Sequence, residues 1–240
     1  MADQIDLFGL MPPAEPAAIG PEGALRIPHD ASVPIRPGTY PTLDPLVADC
    51  NVCQRCDLGK TRTHAVVERG SRTARIMVVG EGPGENEDKT GQPFVGKAGQ
   101  LLDKILASVQ LDSNQDIYIC NVVKCRPPNN REPLPNEVAA CLGYLQEQIR
   151  LVNPWIILVT GATAMRALLH EKRGITKIRG QWFPLDNSYA MPILHPAYLL
   201  RNASREVGSP KWLMWQDIQA VRDMYHRLEA GQPVDDLLQK

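Results

Sequence analysis

Four short apolar runs punctuate the chain: RIMVVG over 75–80, IYICNVV over 117–123, WIILVTG over 155–161 and AMPILHP over 190–196. None alternates apolar with polar as a half-exposed strand would. Each precedes a stretch with helically spaced apolar positions: GKAGQLLDKILASV, PNEVAACLGYLQEQIRLV, ATAMRALLHE and PKWLMWQDIQAVRDMYHRLE. Buried strands alternating with amphipathic helices predict an α/β fold, a three-layer α/β/α sandwich around a central parallel sheet of about four strands. Right-handed crossovers put all the strand ends on one edge, and ligands bind beyond the carboxyl ends in such sheets. The segments leaving those ends are GEGPGENEDKTGQPF, NVVKCRPPNNR, TGAT and HPAYLLRN, which are expected to converge into one cleft.

The ends of the chain have a different texture. Residues 9–48 carry Pro12, Pro13, Pro16, Pro21, Pro28, Pro34, Pro37, Pro41 and Pro45 with no sustained period, which predicts a disordered Pro/Ala-rich tail over 1–48. A catalytic-size domain is expected over 49–228 and a short tail over 229–240. Composition is that of an ordinary globular protein, 43% apolar and 22% charged. No apolar window is long enough for a membrane span, and no basic n-region precedes an apolar core at the N-terminus, so a cytoplasmic protein is expected; a monomer is expected as well. The net charge is −1, but acids concentrate at both ends and leave the middle of the chain about +6. That is compatible with a polyanion partner and too weak to demand one.

Six cysteines stand at 50, 53, 56, 120, 125 and 141. Without an export signal they are expected to be reduced thiols rather than a disulfide framework. A C-x2-C pair plus two distant cysteines suits a four-thiolate site for zinc or an iron–sulfur cluster. Cys120, inside an apolar strand, reads instead as a small buried hydrophobe.

The glycine-rich turn after the first strand is unusual for a phosphate cradle. It carries Glu81, Glu85, Glu87 and Asp88 where a phosphate would want amide donors and a lysine. GEGPGENEDKTGQPFVGKAGQLL, NVVKCRPPNNREP and HPAYLLRN, in this order behind a C-x2-C, resemble the family 4 uracil-DNA glycosylases, the iron–sulfur branch of that superfamily, over about residues 50–228. The resemblance implies a monofunctional DNA-repair enzyme that flips uracil out of single- or double-stranded DNA and hydrolyses its N-glycosidic bond. It also implies a structural [4Fe–4S] cluster on Cys53, Cys56, Cys125 and Cys141, with Cys50 as an alternative ligand because the first three cysteines share one spacing. No nucleotide cofactor is expected.

Further roles follow from the same resemblance. Phe94 would be the floor on which the base stacks, and Gly80, Gly82 and Gly84 would let backbone amides approach the ring. Asn121 would read the base edge, since one carboxamide pairs with a carbonyl and an N–H side by side. His195 would donate to the uracil carbonyl as charge builds on the departing base. Glu81 is the first candidate for positioning water or stabilising the sugar cation, and Glu87, braced by Asn130, the second. Leu199 or Leu200 would fill the gap left by the flipped base, with Arg201 beside them on a phosphate. A branch that becomes trapped covalently on DNA has a GEQPG motif and a basic insertion; Gly82 and the sequence NNREP disfavour that outcome here. Near the N-terminus, Gln4, Leu7 and Phe8 in QIDLF resemble the bacterial sliding-clamp-binding pentapeptide. The rival readings are a non-catalytic iron–sulfur or zinc nucleic-acid-binding module, and a nucleotide enzyme using TGAT as a phosphate turn.

Overall fold

The computed structural model of the protein describes residues 29–238. The clamp-like pentapeptide at 4–8 therefore lies outside the described residues. Two helices open this region, α1 (Leu43–Val52) and the single turn α2 (Leu58–Thr61), followed by β1 (Arg69–Gly70) and β2 (Ile76–Gly80). After β2 come α3 (Glu85–Thr90), α4 (Lys97–Ala107), β3 (Ile117–Asn121), α5 (Pro135–Val152) and β4 (Ile156–Thr160). The chain continues through α6 (Ala162–Leu169), α7 (Ile175–Ile178), β5 (Phe183–Leu185), β6 (Ser188–Ile193), α8 (Pro196–Arg201) and α9 (Pro210–Glu229).

The sheet order is β1-β3-β2-β4-β6-β5. Its four central strands are parallel and coincide with the four apolar runs, while β1 and β5 pair antiparallel at the two edges. The parallel core was expected; the edge strands were not. Every residue of β2, β3 and β4 is buried, which explains why these runs do not alternate. Their side chains still alternate between two cores. Met77, Val79, Tyr118, Ile157 and Val159 pack with α1, α5 and α6, whereas Ile76, Val78, Ile119, Ile156 and Leu158 pack with α4, α8 and α9. Cys120 is fully buried in β3 among the first set. From β2 the chain goes first to β3 on one side and then to β4 on the other. Such a reversal opens a crevice at the strand ends.

At both ends of the described region, residues that the composition assigned to tails are packed on the domain. Ile35, Tyr40, Leu43 and Leu46 are buried, and the carboxylate of Glu147 on α5 accepts from the backbone N–H groups of Gly38 (2.9 Å) and Tyr40 (2.8 Å). Residues 35–48 are thus a strap rather than a linker, anchored by single apolar side chains too irregularly spaced to give a period. Beyond α9, Val234 is buried and Arg227 pairs with Asp236 at 2.6 Å, so the segment after 229 folds back on the helix. Among the described residues no helix is long and apolar enough to cross a membrane.

Candidate active site

The carboxyl ends of the four parallel strands surround a cavity of about 620 Å³, well within the range of small-ligand pockets. Glu81 leaves β2, Asn121 ends β3, Gly161 follows β4 and His195 follows β6; all four line it. In the parallel register Gly80 lies beside Asn121. A Cβ at Gly80 would meet Phe94 Cε2 and Cζ at 2.6 Å and would collide with Asn121 Oδ1. Glycine is required here because a ring and a carboxamide occupy the space a side chain would take.

Phe94 is buried with φ 56, a left-handed conformation uncommon for an aromatic residue and typical of strained functional loops. Two contacts hold it there. Arg69 Nη1 donates to the Phe94 carbonyl at 2.8 Å, and Glu87 Oε1 accepts from the backbone N–H groups of Val95 (3.0 Å) and Gly96 (2.7 Å) directly behind it. Glu87 lines the cavity, but its bonds are those of a loop brace. Asn130, expected to support it, instead accepts from Arg126 Nε at 2.7 Å. Asn130 and Asn129 both have φ 55, which a Pro-Pro-Asn-Asn turn tolerates because asparagine enters the left-handed region readily.

The Phe94 and His195 rings lie 5.9 Å apart between centroids at 30°. His195 caps α8, and its Nδ1 accepts from the Ala197 N–H at 3.2 Å. An accepting Nδ1 leaves Nε2 as the protonated, donating nitrogen of the neutral ring. Burial, helped by the positive charge of Arg201, pushes the imidazole down to about 4, so it is neutral near pH 7. Gly161, at φ 89, passes so close to His195 that a Cβ would stand 3.3 Å from its own Cβ. TGAT therefore serves as a close-packed wall of the cavity.

A protein-family model described as the uracil DNA glycosylase superfamily matches residues 67–219. The chain belongs to the uracil-DNA glycosylase superfamily. It is similar to the type-4 uracil-DNA glycosylase of Thermotoga maritima, with 47% identity over 174 residues, covering 71% of this chain and 88% of that protein. The type-4 uracil-DNA glycosylase of Archaeoglobus fulgidus is 40% identical over 167 residues (66% and 83% of the two chains). That of Saccharolobus solfataricus is 41% identical over 169 residues (67% and 78%).

Within this superfamily fold, the remaining candidates separate by burial. Of the two leucines that could fill the gap of a flipped base, Leu199 is 1% exposed and packs in the core with α4 and α9. Leu200 is 47% exposed, and Arg201 lines the cavity. Tyr198, inside the HPAYLLRN motif, is exposed on the cavity wall beside them. Arg131 also lines the cavity and is held by both carboxylate oxygens of Glu137, at 2.8 and 2.6 Å. Gly82 and Gly84 line the same wall as Glu81.

A separate pocket gathers Cys50, Cys53, Cys56, Cys125 and Cys141 with Arg62, Lys124 and Tyr144. Arg62 Nη1 donates to Cys125 Sγ at 3.0 Å, and the Lys124 N–H donates to Cys141 Sγ at 3.3 Å. Burial pushes the Cys141 thiol up to about 12 and raises Cys50, Cys56 and Cys125 as well, so thiolates here need a cation to form. Among the described residues no three His, Cys, Asp or Glu close on a single metal ion. Five thiols around one pocket, with N–H donors aimed at two of the sulfurs, form a donor set suited to thiolate-bound zinc or an iron–sulfur cluster. Cys50, on the last turn of α1, faces the pocket with the other four.

Proposed function

We propose that this chain excises uracil from DNA as a monofunctional glycosylase, breaking the N-glycosidic bond with water to leave an abasic site. What supports the reading most is one cavity at the strand ends carrying a buried aromatic ring, a buried carboxamide and a neutral histidine. The flipped base lies against Phe94, its N–H and adjacent carbonyl meet Asn121, and stacking plus these bonds offset the few kcal/mol lost on extrusion. As the bond breaks, the electron pair goes to uracil, and His195 Nε2–H donates to the carbonyl that gathers the charge. The neutral ring keeps its Nε2–H because Nδ1 is the accepting nitrogen, and such a preorganised donor contributes about 10²–10³ in rate. Glu81 faces the sugar side, orienting water and balancing positive charge on the ring. Gly80, Gly82 and Gly84 keep the wall thin, Glu87 and Asn130 shape the loops, and Leu200 and Arg201 face the DNA.

Cys53, Cys56, Cys125 and Cys141, or Cys50 in place of one of the first two, would hold a [4Fe–4S] cluster. When bound, the cluster supplies a cross-link between the segment before α2 and the loop after β3. Residues 4–8 would dock on a sliding clamp, the chain between raising local concentration; unchanged clamp binding after Leu7→Ala with Phe8→Ala removes this part.

Release of uracil from single- and double-stranded oligonucleotides tests the function, with His195→Ala and Asn121→Asp as controls. Loss of release in His195→Ala and weakened uracil discrimination in Asn121→Asp are expected. Binding of DNA without release by the wild-type chain would favour a non-catalytic nucleic-acid-binding module. An adduct surviving denaturation would contradict ordinary turnover.

A further inference from the structure

Behind Glu81, outside the cavity wall, stands a buried hydroxyl. Thr163 on α6 is 6% exposed, and its Oγ1 donates to Glu81 Oε2 at 2.5 Å. Glu132 Oε1 lies 3.0 Å from the same Thr163 Oγ1, and Arg166, one turn further along α6, pairs with that carboxylate. A hydroxyl has one hydrogen, so it serves one carboxylate at a time, and the shorter contact gives it to Glu81. Arg166 meets the charge of Glu132 and lets the two acids stand on one oxygen without both depending on it. The chain thereby ties together three of the four strand-end loops: Glu81 after β2, Glu132 after β3, and Thr163 with Arg166 after β4.

We infer that Thr163 is a positioning residue for the Glu81 carboxylate, locking one oxygen to α6 so that the other faces the sugar, with Glu132 and Arg166 as the backstop. The inference rests on the role given to Glu81 above. A carboxylate at the end of a flexible glycine-flanked turn has several rotamers, and a catalytic group misplaced by about 1 Å loses rate steeply. Thr163 never touches the substrate, so its removal alters where Glu81 sits and leaves base binding alone.

The test is steady-state and single-turnover kinetics of the full chain on uracil DNA for Thr163→Val, Thr163→Ser and Glu81→Gln, and for the Glu81→Gln/Thr163→Val double variant. Valine keeps the shape and removes the donor. Thr163→Val should lower kcat by about 10-fold with KM within about twofold, and Thr163→Ser should restore most of it. In the Glu81→Gln background Thr163→Val should have no further effect, which a merely structural role does not produce. Circular dichroism melting separates misfolding from mispositioning, and should Thr163→Val fail to fold, Thr163→Ala with the same double-variant comparison decides. Full activity in Thr163→Val while Glu81→Gln is impaired overturns this inference alone. Full activity in Glu81→Gln overturns the role given to Glu81 and the inference with it.

Discussion

Gly80→Ala is the sharpest perturbation of the pocket. The added Cβ would sit 2.6 Å from two ring carbons of Phe94 and would strike Asn121 Oδ1. Ordinary carbon contacts are about 3.5–4.0 Å, so the neighbours must yield by roughly 1 Å. The backbone has little freedom to relieve this, because Gly80 is paired with Asn121 of β3 and Val79 before it is paired with both β3 and β4. Phe94 is pinned through its carbonyl by Arg69, which leaves the Asn121 carboxamide and the ring tilt to absorb the shift. Overpacking of this kind costs about 1–3 kcal/mol of stability. A displacement of about 1 Å at a positioning group costs about 10²-fold in rate. The expected outcome is a lowered melting temperature and a loss of about 10²-fold in single-turnover uracil release at saturating enzyme, with DNA binding retained. Release within twofold of wild type would mean that Phe94 and Asn121 are not the surfaces that hold the base.

Three further outcomes follow from the same geometry. His195, held at about 4 against an ordinary value of 6.5, should stay neutral across physiological pH with its proton on Nε2. Between those values the unfolded chain binds a proton that the folded chain refuses, so stability is full above about 6.5 and falls by about 3 kcal/mol as pH drops to about 4. Imidazole NMR showing His195 titrating at 6.5 or above would contradict this. Tyr40→Ala should cost about 3 kcal/mol in denaturant unfolding, because the ring is fully buried and stacks near Tyr144 at 6.2 Å; an unchanged midpoint would return residues 35–48 to the status of a linker. Cys125→Ala or Cys141→Ala should abolish bound iron and sulfide in the purified protein, and Cys50→Ala should not; the reverse pattern would reassign the ligands.

The four parallel strands and the convergence of their loops were legible because three of these strands are fully buried and the fourth nearly so, each reads as a short apolar run, and helices with clear periodicity follow them. The edge strands were not, since two residues at Arg69–Gly70 and three at Phe183–Leu185 carry no period. Ile35 and Tyr40 were hidden among prolines, and their burial together with the bonds from Gly38 and Tyr40 N–H to Glu147 reveals the strap. Adjacent Leu199 and Leu200 look alike in sequence; the short helix α8 turns one into the core and the other to solvent. Thr163 ends the TGAT stretch read as a phosphate turn, and nothing in that motif ties it to Glu81 or Glu132, because these partners lie 82 and 31 residues away and meet it only at the strand ends. The shared spacing of Cys50, Cys53 and Cys56 stays ambiguous in three dimensions, because all three reach one pocket.

In the proposed function, Phe94, Asn121 and His195 enclose one extruded uracil. A crystal structure of the protein with free uracil, the reaction product, tests this most directly. The ring should lie on Phe94, with its N–H and neighbouring carbonyl paired to the Asn121 carboxamide and its other carbonyl within hydrogen-bonding distance of His195 Nε2. Uracil bound elsewhere, or bound in this cavity with no contact to Asn121 and His195, would contradict it.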